Sequence, residues 1–454
     1  MTHSPPAGWA DAPWNNPDSL AVHMGRYARE GVVLDRHYVH SKCSPSRAAL
    51  LTGRYAWTMG RQRGAIERFS PTGLSTSFPL LPQMLKKAGY KTHAVGKWHL
   101  GYCNEDYLPT RRGFDNFFGM LQQSTHYRSR MITCSSFKFR KEMVGYDLRR
   151  NESVSYEYPK RFAPNMYSKE ARKIIRQHDQ KDPLFLYLPL MSIHTPHVGR
   201  TPKRFRGLYD SSSNNGFESS EDLRDILIAT VDYSIHKVFV DLKHWGLMEN
   251  TVVVVTTDNG GGPWDSNLPL KGTKETVFEG GIRGAAFVHS PLLGRTGNYS
   301  GLMHISDWVP TLVGLAGLTA PPGLDGQDQW QAISRESPSP RTEVVHNIDE
   351  DTNKGTWQAT VSSGQWKLIW GQEYLLKKSQ PHFRDRALLY DVFADPAERT
   401  NQAHNQPEVV DRLKAIVMEK MNSSYVQADY PKGTKKGWPS NFGGFISPGW
   451  CKSR

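Results

Sequence analysis

Apolar residues fall into short continuous runs separated by longer stretches at helical spacing. Thr251–Thr257 and Pro183–Leu188 have the length and continuity of strands buried on both faces. Lys91–His99, Gly31–Val39 and Gly284–Ser290 read as further strands, the first with Gly96 inside it. Leu223, Ile226, Leu227, Val231, Val238 and Leu242 recur at helical spacing and predict a packing helix over 223–242. Ser168–His178 predicts an amphipathic helix, Leu80–Ala88 a short helix closed by Gly89, and Ile305–Leu315 a helix containing a proline. Residues 1 to about 20, rich in Pro, Trp, Asn and Asp, read as loop. Residues 319–345 read as a linker or long surface loop. Beyond it, Gln365–Trp370 and Ala387–Phe393 read as strands, Glu408–Met421 as a helix, and the tail from Lys432 as irregular. This order predicts an α/β fold. A large mixed, mostly parallel sheet flanked by helices would occupy 1–345, and a smaller antiparallel sheet with one helix 346–454.

The 454 residues suffice for a large core and a second small domain, and 38% hydrophobic content is that of a globular chain. The net charge of +13 points to anionic partners. The basic residues are dispersed, as in Arg111-Arg112 and Lys435-Lys436, with no long basic run or nucleic-acid motif, so a substrate anion is preferred to nucleic acid. No stretch is long and apolar enough to span a bilayer. The opening Met1-Thr-His-Ser-Pro-Pro lacks the features of a signal peptide. Asn151, Asn298 and Asn422 head glycosylation sequons. Of the four cysteines, Cys103, Cys134 and Cys451 allow at most one disulfide if Cys43 is kept for chemistry, and the pairing stays open.

The chemistry concentrates in Cys43-Ser44-Pro45-Ser46-Arg47-Ala48-Ala49-Leu50-Leu51-Thr52-Gly53-Arg54. Ser44 suits an N-cap, Pro45 the first helical position and Gly53 the helix end. A helix start attracts anions, and a cysteine there has a lowered pKa. Lys97 and His99 are two apart on a predicted strand, hence on one face, where a cation beside an imidazole suits anion binding and proton transfer. His194 follows the Pro183–Leu188 strand, and Asp258-Asn259 ends Thr251–Thr257 on a glycine turn. Strand carboxyl ends are where α/β sheets bind ligands. A carboxylate beside an amide oxygen suits a hard cation.

Taken one by one, these residues also fit bland roles: a buried cysteine, a packed histidine, an Asp-Asn-Gly turn. Taken together they resemble the sulfatase family. The Cys43–Gly53 string carries its Cys-x-Pro-Ser-Arg-x-x-x-Leu-Thr-Gly signature, and Gly96-Lys97-Trp98-His99-Leu100-Gly101 its second. His194-Thr-Pro-His197 and Thr257-Asp258-Asn259-Gly260-Gly261 are similar to further family motifs. The resemblance implies an alkaline phosphatase-like sulfatase fold and sulfuric ester hydrolysis. It implies that Cys43 is oxidised to formylglycine by a formylglycine-generating enzyme. Asp258, Asn259 and the hydrate at position 43 would hold a divalent metal, Ca2+. Arg47 would steady the hydrate, and Lys97, Lys274 and His194 would contact the sulfate. His194 would act as acid and His99 as base. Lys274 is preferred to Lys271, which reads as a surface residue.

The surroundings of the motifs, such as Leu108–Asp115, His304–Thr311 and His346–Asp349, resemble the arylsulfatase B group, which includes N-acetylgalactosamine-4-sulfatase. That implies sulfated sugar or glycosaminoglycan substrates and a lysosomal or secreted protein. The chain departs from the family at its start. The signal peptide, the first strand and the two aspartates that end it, both metal ligands in the family, are absent, and Gly8-Trp9-Ala10-Asp11 resembles the family segment just beyond those aspartates. Asp11 matches a position that is not a ligand. Two alternatives therefore stand beside hydrolysis. One is a catalytically impaired sulfatase-like protein that binds sulfated glycans; the other, disfavoured by the cysteine signature, is a related metal-dependent phosphohydrolase.

Overall fold

The structure is a computed structural model, which describes residues 1–4, 8–136, 141–191, 193–194, 220–351, 356–371 and 386–453. The continuous apolar runs form the middle of a ten-stranded sheet. Its principal strands are β1 (Thr2–Ser4), β2 (Val32–Leu34), β3 (Lys91–Lys97), β4 (Asn116–Met120), β5 (Leu184–Pro189), β6 (Val253–Thr257), β7 (Ala286–His289) and β8 (Gly297–Tyr299). The order is β8-β2-β7-β6-β1-β5-β3-β4, followed by two short strands at Arg149–Arg150 and Ser153–Val154. The stretch β6-β1-β5-β3-β4 is parallel throughout. β7 runs antiparallel to both β6 and β2, so the sheet is mixed.

Both faces of the sheet are covered, as its strands require. The helices include α1 (Val22–Arg29), α2 (Cys43–Thr52), α3 (Ala163–Gln177) and α4 (Ser220–His244). Val253, Val255, Val95 and Phe287 pack against Ala171 and Ile175 of α3 and Ile235 of α4. Val254, Val288 and Ala94, one residue out of phase, pack on the opposite face with Leu50 and Leu51 of α2 and with Trp308. Alternate residues therefore serve different layers, which is why these runs are continuously apolar.

Four further strands, β9 (Glu343–Asp351), β10 (Thr356–Ser363), β11 (Trp366–Gly371) and β12 (Ala387–Asp391), form an antiparallel sheet in sequence order. α5 (Pro407–Ser423) lays Val410, Leu413 and Val417 on it, against Val361, Leu368 and Leu389. β9 crosses the boundary expected at 345/346. The tail expected to be irregular holds two short 3-10 turns and returns to the large unit, where Ile446, Trp438 and Trp450 join its core. Cys103 and Cys451 form a disulfide that ties it down. The side chain of Cys134 lies outside the described residues. No helix among them is long and apolar enough to cross a membrane.

Three expectations are corrected. The first concerns the missing first strand. Thr2–Ser4, expected to be loop, is a strand in the centre of the sheet, with Thr2 level with Leu188 on one side and Val255 on the other. Backbone partners on both flanks make a strand of a segment that has no apolar run. The second concerns α2, which starts at Cys43 with Lys42 at the cap position. The Ser44 hydroxyl is used elsewhere, donating to His99 O (3.1 Å) and accepting from Ile66 N (3.0 Å). Gly53 does end the helix, in the left-handed conformation at φ 72°. The third concerns β3, which stops at Lys97. His99 lies beyond it with φ 58°, so the two side chains are not strand neighbours. Gly96, inside β3, has to be glycine: its φ is 135° and a Cβ there would lie 2.0 Å from Pro189 O.

Candidate active site

The carboxyl ends of β3, β5 and β6 converge on the start of α2. Arg47, fully buried in the first turns of α2, reaches across to β6 and β3. Its Nη2 lies 2.9 Å and its Nε 3.1 Å from Asp258 Oδ2, and its Nη1 donates to Lys97 O at 2.8 Å. The Tyr187 hydroxyl of β5 accepts a longer bond from Nη1 at 3.4 Å. One guanidinium thus ties three strands to the helix that carries Cys43.

Cys43 is a buried free thiol. Burial alone would raise its pKa, but Lys274 and Lys97, with a hydrogen bond from His194, hold it well below the ordinary thiol value. The same charges act in return. Burial lowers the Lys97 ammonium to about 8 even though the Cys43 thiolate favours its charge. The Lys97 Nζ is buried with no hydrogen-bond partner among the described residues. Burial also disfavours the charge on Lys274, yet Cys43, Asp258, Glu275 and Asp265 keep its pKa above the usual value. Its backbone is fixed by a bond from Lys274 N to Gly261 O (2.8 Å).

His99 is lowered to about 4 by burial and then by Lys97. Its Nε2 lies 3.0 Å from Ile66 O, which assigns the ring proton to Nε2 and leaves Nδ1 as the acceptor. His194 is lowered by burial, while its hydrogen bond to Cys43 works the other way. Its backbone is held by one hydroxyl: Tyr127 OH donates to His194 O (3.0 Å) and accepts from His194 N (3.1 Å). The expected motif residues Ser192, Thr195, Pro196 and His197 lie outside the described residues.

Asp258 and Asn259 are fully buried at the end of β6. Asn259 Nδ2 donates to Gly260 O, while its Oδ1 is buried and unpartnered among the described residues. An orphaned amide oxygen beside a carboxylate fits a hard cation in kind. In number the fit is lean. Calcium takes six to eight oxygens, and no group of three His, Cys, Asp or Glu among the described residues could hold a metal.

The structure brings Cys43, Arg47, Lys97, His99, His194, Asp258, Asn259 and Lys274 into one site. Lys271 does not join them: its Nζ lies 3.3 Å from Glu398 O and 4.3 Å from the Phe278 ring centroid. Asp11 is a scaffold residue, accepting from Gly8 N (2.6 Å) and Ser266 N (3.3 Å). Asn298 and Asn422 are exposed. Asn151 is half-buried, and its Oδ1 accepts from Phe117 N (2.8 Å). Sequence reasoning missed Tyr127, Tyr187 and Asp265, which belong to no motif.

A site walled by buried cations, with a nucleophilic side chain at a helix start and two histidines beside it, is that of an enzyme acting on a small oxyanion ester. Comparison with known proteins narrows this class. The Sulfatase family model matches residues 13–318, and the chain belongs to the sulfatase family. It is 34% identical to arylsulfatase J of Mus musculus, over 98% of this chain and 79% of that protein. It is 32% identical to N-acetylgalactosamine-6-sulfatase of Mus musculus (89% and 82%) and 28% identical to human arylsulfatase A (90% and 84%). Its fold is similar to the crystal structure of Ps i-CgsB in complex with k-i-k-neocarrahexaose (TM-score 0.81, 24% identity, 96% of this chain and 95% of that one). It is also similar to the putative sulfatase yidJ from Bacteroides fragilis (TM-score 0.73, 18% identity, 95% and 97%). The chain is thus a sulfatase, with the alkaline phosphatase-like fold of that family.

Proposed function

We propose that the protein hydrolyses sulfate esters of sugars at a formylglycine derived from Cys43. The observation that carries this reading is the convergence of Lys97, Lys274, His99 and His194 on the Cys43 thiol. Formylglycine, made from Cys43 by a formylglycine-generating enzyme, would supply as its hydrate the oxygen nucleophile and the second hydroxyl that a thiol lacks. Asp258 and Asn259 would hold a divalent cation, with Ca2+ the choice their oxygens favour, and that cation would supply positive charge beside position 43.

The chain's own residues do the rest. Lys97 and Lys274 bind the sulfate oxygens, and Lys97 is ready for this because its Nζ has no partner among the described residues. Arg47 holds Asp258 and the β3 end in register with α2. His99 accepts a proton at Nδ1, since Nε2 is committed to Ile66 O. His194 delivers a proton to the leaving alcohol from the C-terminal side of β5.

Sugar substrates are supported by the relatives' names, and an arylsulfatase B-like subgroup by the sequence around the motifs. A secretory or lysosomal setting is supported by the Cys103–Cys451 disulfide and the exposed sequons at Asn298 and Asn422. The lean cation shell favours a second reading, a sulfated-glycan binder without turnover. The test is the mass of the peptide Cys43–Arg47 after expression in a secretory system. The proposal expects sulfur and two hydrogens replaced by one oxygen. A fully retained thiol in protein that binds sulfated glycan but releases no sulfate would favour the binder.

A further inference from the structure

The loop after Asn259 carries a feature that the hydrolytic chemistry does not use. Gly262-Pro263-Trp264-Asp265 forms a β-turn, closed by Asp265 N donating to Gly262 O (3.1 Å). Asp265 Oδ2 returns to accept from Gly262 N (2.7 Å). Proline at the second position pre-sets φ for such a turn. The base is pinned as well. Asn267 Oδ1 accepts from Gly261 N (2.9 Å), Asn267 Nδ2 donates to Gly261 O (3.0 Å), and Ser266 O accepts from Ala10 N (2.8 Å). Yet Trp264, at the tip of this rigid turn, is 60% exposed.

Single exposed apolar residues need no explanation. Three observations set this one apart. Gly261, which anchors the turn, also accepts the backbone bond of Lys274, so Trp264 is three Cα steps, at most about 11 Å, from the residue that fixes Lys274. Asp265, next to Trp264, acts electrostatically on both Lys274 and Tyr127, whose hydroxyl holds His194. The turn therefore lies within electrostatic reach of Lys274 and of the hydroxyl that holds the His194 backbone. And Asp265 Oδ1 is buried with no hydrogen-bond partner among the described residues. Burial, and then Asp11, raise the Asp265 carboxyl to about 8, so at neutral pH it is largely protonated and its buried Oδ1 can donate as well as accept. A rigid apolar ring beside such a carboxyl and a lysine fits a sulfated sugar. A sugar ring has an apolar C–H face, hydroxyls at its edge and, when sulfated, a negative charge.

We infer that the Gly262–Asp265 turn is a saccharide subsite, in which Trp264 stacks on a sugar ring of the sulfated substrate and the Asp265 carboxyl hydrogen-bonds one of its hydroxyls. The inference rests on the sulfate-site reading above. It makes the turn a determinant of sugar over simple aryl substrates.

The test compares inorganic sulfate, an aryl sulfate and a sulfated disaccharide with the full chain. Calorimetry gives dissociation constants for the first and third, and sulfate release gives kcat/KM for the second and third. In Trp264→Ala the advantage of the disaccharide over inorganic sulfate falls at least fivefold, and its kcat/KM relative to the aryl sulfate falls likewise. Trp264→Phe restores most of both ratios, and Asp265→Asn lowers them without a change in fold by circular dichroism. Ratios unchanged in Trp264→Ala overturn the subsite while leaving the sulfate site standing. A wild-type chain that binds inorganic sulfate no better than Lys97→Ala overturns the sulfate-site reading itself, and the subsite with it.

Discussion

Lys97 shows how much a single buried charge can decide. Its ammonium has no hydrogen-bond partner among the described residues, and burial brings its pKa down to about 8. Below that value the group is charged and attracts sulfate; above it, the attraction fades. In protein that keeps the Cys43 thiol, sulfate affinity is accordingly expected to weaken as the pH passes about 8. Lys97→Ala is expected to lose about 1.5–3 kcal/mol at neutral pH, roughly tenfold to a hundredfold, the worth of a charged hydrogen bond. It should also flatten the pH dependence between about 7 and 9. Titration calorimetry with inorganic sulfate checks both, and a variant that keeps the wild-type pH profile would assign the effect to another group. Lys97, like Cys43 and Asp258, was legible because it sits in a short string whose residue order carries the chemistry. Tyr127 was not. It meets the His194 backbone across 67 residues of chain through one hydroxyl, and no local pattern announces such a contact.

At the scale of elements, the small sheet is bolted to the large unit by buried charges. Lys367 of β11 lies 3.0 Å from Glu279 and 2.9 Å from Glu398, and Tyr38 OH donates to Glu279 at 3.0 Å. Glu279 begins the short helix five residues after Lys274, so this cluster supports the loop that presents Lys274. Removing one partner from buried pairs leaves uncompensated charge, and Lys367→Met is expected to cost about 3–5 kcal/mol. Chemical denaturation measures it; a loss below about 1 kcal/mol would mean that the cluster is relieved by water or by protonation of a glutamate. The buried strands β5 and β6 were readable from their runs of apolar residues. β9 was missed because Glu343-Val-Val-His-Asn-Ile-Asp mixes polar residues into a strand that begins inside a stretch read as a linker. β1 was missed because its identity comes from its two neighbours, not from its own three residues.

For the molecule as a whole, the tail from Lys432 closes the structure. Ile446 is fully buried, Gly444 and Ile446 bond to the Tyr146 backbone, and Cys451 is joined to Cys103 across 348 residues. Cross-links of this kind restrict the unfolded chain, and Cys103→Ala is expected to cost about 2–5 kcal/mol. Thermal melting under oxidising conditions checks this, and a Tm equal to wild type would show that packing alone holds the tail. The sheet, the tail and the buried charge cluster all serve to fix one site around position 43. The central claim is that this position carries the nucleophile for sulfate ester cleavage. It is tested most directly by sulfate release from an aryl sulfate, comparing wild type with Cys43→Ala in protein from a secretory host. The account predicts turnover by wild type and none detectable in the variant, with the fold retained. Equal, appreciable turnover in Cys43→Ala would contradict it.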